Sequence, residues 1–232
     1  MFILFISDLD PVKVIKELES LYTSKSAYAL ISITTKTSEY TKNMEVEVFS
    51  KGLDKYLLKI IRPKEDSGVV MLKSGKNIYL YIPSINRVIK LPEIMMFDTW
   101  MGTHLTFEDL VAEGDIEESY DISLSDEVGD TAIIEMKPKK KAKGIYGKIE
   151  YRINPKTLTI YSIMFYDKTL KPLRIIKFYD HKTLAERNIP MRITVEPLDK
   201  SGEYTEVLYK TLKFDINIPD IMFSPESLGE KK

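Results

Sequence analysis

The side chains able to do chemistry are few and scattered. His104 and His181 are the two histidines of the 232-residue chain. They lie far apart in sequence, with no partner at metal-ligand spacing, so neither a zinc site nor a Ser-His-Asp relay is indicated. An isolated histidine is ordinarily a surface or hydrogen-bonded residue. There is no cysteine, which removes disulfides, zinc-thiolate sites and thiol catalysis. Carboxylates are plentiful, but Glu45 and Glu47 alternate along the polar side of a strand, and Asp66, Asp98, Glu108 and Asp109 fall in loops or at a helix start. Solvation accounts for them better than an acid-base pair does. With no phosphate loop or dinucleotide fingerprint, the sequence predicts a binding protein rather than an enzyme, without cofactor or metal.

What does concentrate is apolar. The stretch from Glu93 to His104 contains the only tryptophan, Trp100, and Met95, Met96 and Met101 out of ten methionines, yet it has neither a strand nor a helix period. Methionine re-packs around different shapes and tryptophan supplies a large apolar area. Such a loop is costly to leave in water and reads as a lid or mouth for an apolar ligand; the other reading is that these side chains complete the core. The candidate lipid-contacting residues are Met95, Met96, Phe97, Trp100, Met101, Leu105, Phe107 and Leu110, with Leu80 and Ile82 from a neighbouring strand.

The elements that must position this loop are mostly strands. Asp10 followed by Pro11 is a helix start, and Val14, Ile15, Leu18, Leu21 and Tyr22 form one apolar stripe of a packing helix that ends near Tyr22. Beyond it the period changes to two, cleanly in Met44–Val48, Lys148–Ile153 and Arg192–Glu196. Further β-rich runs cover 29–36, 55–62, 69–73, 77–82, 131–137, 158–166, 173–179 and 204–214. Turn residues such as Lys51-Gly52, Ser74-Gly75, Asn154-Pro155 and Ser201-Gly202 separate them. This spacing predicts a mainly β chain, an antiparallel meander of about ten or eleven strands. Ile78–Ile82 and Ile160–Tyr166 are apolar on both faces, so the second face needs a cover of helix or ligand.

Hydrophobic residues at 44% provide for a real core, and 34 basic against 35 acidic residues, well mixed, leave no footprint for nucleic acid. The one basic concentration, Lys137, Lys139, Lys140, Lys141 and Lys143, reads as a solvated hairpin connection or as a contact for anionic lipid or an acidic partner. No segment approaches the roughly 20 apolar residues of a membrane-spanning helix. Phe2–Ser7 is either the tail of a secretory signal, leaving residues 1–9 as its remnant, or a strand of the mature fold.

Several short segments together carry a family resemblance: Arg62–Gly68; Tyr79–Ser84 with Arg87-Val88-Ile89; Trp100-Met101-Gly102; Phe107-Glu108-Asp109-Leu110; and Pro219–Phe223. In this order the chain resembles the outer membrane lipoprotein-sorting proteins, the LolA/LolB-like superfamily. The resemblance implies a half-barrel, an unclosed antiparallel β-barrel of about eleven strands wrapped around a few helices, formed by residues 10–232 as one lipid-binding domain. It also implies a periplasmic carrier of lipoprotein acyl chains or another lipid, loaded by a releasing complex at the inner membrane and unloaded to an outer-membrane acceptor. Thr103-His104 stands where the family often has Ser-Asp after Trp-Met-Gly, so no charged role carries over there. The competing function is an interaction or envelope-stress-sensing module on the same fold; a lipid hydrolase lacks a nucleophile constellation.

Overall fold

The structure is a computed structural model that describes residues 9–22, 24–111, 116–140, 142 and 144–229. The expectation for residues 1–9 therefore lies, but for Leu9, outside the described residues, as do Lys141 and Lys143. Helix α1 spans Pro11–Tyr22. The strands are β1 (Ala27–Lys36), β2 (Thr41–Lys51), β3 (Lys55–Arg62), β4 (Val70–Ser74), β5 (Asn77–Ile82), β6 (Arg87–Lys90), β7 (Tyr120–Val128), β8 (Thr131–Pro138), β9 (Lys148–Asn154), β10 (Thr159–Tyr166), β11 (Pro172–Leu184), β12 (Arg187–Pro197) and β13 (Tyr204–Phe214), with a one-turn helix α2 (Ile116–Ser119) before β7.

All thirteen strands form one antiparallel sheet in the order β6-β5-β4-β3-β2-β1-β13-β12-β11-β10-β9-β8-β7, an open half-barrel whose edges are β6 and β7. The chain winds outward from β1 to one edge, crosses to the other, and winds back until β13 pairs with β1. Because every pairing is antiparallel, alternate turns share an end. Lys36 faces Tyr204, so the β1–β2, β3–β4, β5–β6, β8–β9, β10–β11 and β12–β13 connections all lie at one end, called the mouth below.

Helix α1 begins as its sequence predicts: the Asp10 carboxylate accepts from the Val12 and Lys13 amides at 3.0 and 3.2 Å, satisfying two of the donors every helix start leaves open. Val14, Ile15 and Leu18 are buried against Ile134, Ile153 and Ile160 of β8, β9 and β10. Each such side chain contributes roughly 1.5 to 3 kcal/mol, so the helix fills the inner face away from the mouth. Toward the mouth the inner face is the main core, with Ile33, Val46, Ile60, Met136 and Val195 among its fully buried members.

The two strands that appear apolar on both faces receive different explanations. On β4 and β5 the outer face is covered by the chain's own tail: Ile218 and Phe223 are buried against Leu57, Val70 and Leu72, with Tyr79 and Tyr81 beside them. The cover is therefore protein and not ligand. On β10 a bulge between Ile160 and Ser162 shifts the alternation by one, so Ile160, Ile163 and Phe165 all face inward while Tyr161 is exposed.

Candidate functional site: a segment across the mouth

The connection from β6 to β7 must travel from one free edge of the sheet to the other, and it does so across the inner face. Leu91, Trp100, Leu105, Phe107 and Val111 of this segment belong to the main core together with side chains from both halves of the sheet. Trp100 is 1% exposed and is the largest fully buried side chain. Of the two readings of residues 93–104, a lid or mouth and a completed core, a buried tryptophan is what the second expects. Glu93–Phe97 is a 3-10 helix started by Pro92, and the tryptophan points into the core rather than lining an open mouth. The physical reason is topological: a chain that must cross a hollow fills it with its largest apolar side chains.

The segment is locally self-contained. Thr99 and Thr106 form a β-bridge, the Trp100 amide donates to the Leu105 carbonyl at 2.8 Å, and the Thr103 hydroxyl donates to the Trp100 carbonyl at 2.7 Å. The tip turns at Met101 and Gly102, both left-handed at φ 51 and φ 75. Glycine is needed at 102 for a second reason, since a Cβ there would lie 3.0 Å from the Tyr40 hydroxyl.

Three polar attachments hold it. At the tip, the Tyr40 hydroxyl donates to the Gly102 carbonyl at 2.7 Å, and the Lys42 ammonium reaches the Met101 carbonyl at 3.2 Å while pairing with Asp66 at 2.8 Å. Beside the tip, His104 is clamped to the start of β13. Its amide donates to the Thr205 hydroxyl at 2.9 Å, its Nδ1 lies 3.0 Å from the same oxygen, and its Nε2 lies 3.2 Å from the Glu203 carboxylate. A neutral imidazole protonated on Nε2 satisfies all of these: Thr205 donates to Nδ1, Thr35 donates to Thr205 across 3.0 Å, and Nε2–H donates to Glu203. The Glu203 carboxyl is held below its ordinary range first by the Ser38 amide, and then by His104 against the cost of burial.

The third attachment is at residues 106–109. Asp109, within the short helix Glu108–Leu110, accepts from the Thr106 amide at 2.7 Å while its own amide donates to the Thr106 hydroxyl at 3.2 Å, and it pairs bidentately with Arg174 at the mouth end of β11, at 2.5 and 2.8 Å. Arg174 also donates to the Tyr146 hydroxyl at 2.7 Å and lies 4.2 Å over the Phe165 ring. Burial pushes the Tyr146 pKa up. Asp109, read from sequence as a solvated loop or helix-start carboxylate, is thus a buried ion-pair partner with a side chain 9% exposed.

Of the sequence-predicted lipid-contacting residues, Trp100, Leu105 and Phe107 are buried in the main core. Met95, Met96, Phe97, Met101, Leu110 and Leu80 are partly buried against it. Ile82, half-buried at the mouth end of β5, is outside that cluster. Tyr40, Lys42, His104, Asp109, Arg174, Tyr146, Glu203 and Thr205 carry the attachments; the sequence singled out only His104, as an isolated histidine, and Asp109, within Phe107-Glu108-Asp109-Leu110, and assigned neither of them this role. Beside Phe97 an open depression of ≈ 330 Å³ lies between Tyr120, Pro138, Lys139, Gly144, Tyr146 and Lys168. Among the described residues there is no group of side chains suited to a metal ion, and no helix is long and apolar enough to cross a membrane.

Comparison with known proteins agrees with this architecture. The model of a family described as "-like: Uncharacterized protein" matches residues 52–230. No curated protein matches the chain. Among solved structures, a DUF1329 family protein from Desulfovibrio piger superimposes with a TM-score of 0.84 at 21% identity, covering 95% of this chain and 100% of that one. A domain described as an outer membrane lipoprotein-sorting protein domain, from Vibrio parahaemolyticus, gives 0.83 at 18% identity over 95% and 98% of the two chains. A LolA superfamily protein from Nitrosomonas europaea gives 0.76 at 19% identity over 93% and 98%. The chain belongs to the family whose model spans residues 52–230, and its fold is the LolA-like open half-barrel.

Proposed function

We propose that the protein is a periplasmic carrier that takes the acyl chains of a lipoprotein, or of another lipid, into the inner face of the half-barrel and moves them toward the outer membrane. The observation that carries this reading is the segment from Leu91 to Val111. It fills the hollow with apolar side chains but is tethered to the sheet by discrete polar contacts at Tyr40, Thr205 with Glu203, and Arg174, not by a strand ladder. Releasing those contacts would open the main core, whose sheet-borne members include Met71, Met136, Phe165 and Ile176, apolar side chains suited to an alkyl chain by burial alone. In this state Trp100 and its neighbours occupy the space that cargo would take, and Met95, Met96, Phe97, Met101 and Leu110 are the side chains that would re-pack around it. Cargo would be received from a releasing complex at the inner membrane and passed to an outer-membrane acceptor. The likeness to a lipoprotein-sorting domain supports the same reading. The role is binding and transfer, not catalysis.

One observation favours a second reading, a protein-interaction or envelope-stress-sensing module: the hollow is filled by the chain's own tryptophan. Native mass spectrometry of protein purified from its host separates the two. An adduct of lipid mass supports the carrier, and a stable protein partner without lipid supports the module.

A further inference from the structure

The exposed aliphatic side chains of this protein are not scattered evenly. In the half of the sheet from β7 to β13, the three connections at the mouth end each place one at or beside the tip: Ile145 at 43%, Leu170 at 56% and Leu198 at 45% exposure. Alternate strands put successive tips about 10 Å apart. Each tip also carries exposed lysine: Lys139 and Lys140 with Ile145, Lys168 and Lys171 with Leu170, and Lys200 with Leu198.

The carboxylates of these connections are mostly turned away from solvent. The Asp167 carboxylate is taken up within its own turn by the Thr169 amide and hydroxyl and the Lys171 amide, at 2.7, 2.7 and 2.9 Å. Glu203 faces inward to Ser38 and His104, and Lys139 has Asp121 at 3.8 Å as a partly neutralising neighbour. Asp199 alone is exposed with the lysines. The opposite end of the same strands has the reverse balance, with exposed Asp126, Glu127, Asp130 and Glu186 against Lys156 and Lys182.

From this arrangement we infer that the protein docks mouth-first on an anionic lipid surface, with Ile145, Leu170 and Leu198 entering the headgroup layer and Lys140, Lys168 and Lys171 pairing with lipid phosphates. Aliphatic tips set among lysines match such an interface in both respects: the tips gain burial, and the cations gain the negative surface potential. A protein partner with an acidic surface would use the lysines but has no need of three separate aliphatic tips in a row. The inference rests on taking the mouth as the entrance for lipid, since docking there lets an alkyl chain pass without crossing water.

Flotation with vesicles of phosphatidylglycerol and phosphatidylcholine, compared with phosphatidylcholine alone, tests it. The intact protein should float with the anionic vesicles and lose that binding in high salt. I145S/L170S/L198S should weaken partitioning about tenfold or more, and K140A/K168A/K171A by roughly a hundredfold, since each lysine near such a surface is worth about a factor of five. L53S/V128S, which removes exposed aliphatics at the opposite end, should bind as the parent does. Failure of the parent to float, equal binding by either mouth-end variant, or equal loss in the opposite-end variant would overturn the inference. Titration with a detergent-dispersed lipopeptide, followed by Trp100 emission, needs no vesicle, so a failure of docking and a failure of the carrier reading are separate results.

Discussion

Arg174 and Asp109 meet through two parallel hydrogen bonds of 2.5 and 2.8 Å, both side chains about nine-tenths buried, and so join the start of β11 to the segment that closes the mouth. Removing one member strands the other as a buried charge. Asp109→Ala and Arg174→Ala should each destabilise the fold by about 3 to 5 kcal/mol. The double variant D109L/R174M should be more stable than either single variant, because it removes both charges together. Urea unfolding followed by Trp100 fluorescence measures all four proteins, and a double variant less stable than both singles would contradict this account of the pair.

Thr205 is the hub of the second attachment, serving the His104 amide, its Nδ1 and Thr35. Thr205→Val keeps the shape and deletes the hydroxyl, leaving those groups unpartnered at a cost of about 1 to 3 kcal/mol. Hydrogen exchange should show the loss of protection concentrated at residues 99–106, with β9 to β11 little changed.

The Glu203 carboxyl titrates below its ordinary range in the folded state, through the Ser38 amide first and His104 after it. Its contribution to stability is therefore fully present above the unfolded carboxylate value, about 4.3, and is lost as pH falls through the lower folded value. Thermal unfolding of the parent and of Glu203→Gln should differ at pH 7, and the difference should shrink below about pH 4. A difference that grows on acidification would mean the sign is wrong.

The tail supplies the second-face cover that the apolar strand β5 needs. Phe223, 2% exposed between Leu57, Val70 and Leu72, should cost about 3 to 5 kcal/mol when replaced by alanine. Lipid binding at the mouth should be unaffected, because the tail covers the outer face.

Much of the sheet was legible because its strands alternate. The helix falls at Pro11–Tyr22 and the last strand at Tyr204–Phe214 as the change of period predicts, and β1 begins at Ala27, two residues before the run that marks it. The count came out two short because the edge strands signal weakly. β6 is four residues long and exposed throughout, and β7 alternates only as far as Leu124 before a bulge and two acidic residues interrupt it. Both features blunt a sheet edge against pairing, and both erase the pattern by which strands are recognised. Composition singled out the Trp100 segment but cannot say whether such residues face cargo or the protein's own core. The attachments were illegible for a different reason: Asp109 and Arg174 are 65 positions apart, and His104 and Thr205 are 101, so only the fold brings them together.

The most direct test of the carrier account is Trp100 emission during titration with a long-chain lipopeptide, because the only tryptophan sits in the space that cargo would occupy. The account predicts that saturating ligand shifts the emission and increases quenching by acrylamide as the segment from Leu91 to Val111 gives way. It also predicts that Trp100→Ala alters binding by roughly ten- to a hundredfold, the equivalent of about 1.5 to 3 kcal/mol. Unchanged emission at saturation, together with a large loss of stability in the alanine variant, would contradict it and leave Trp100 as permanent core.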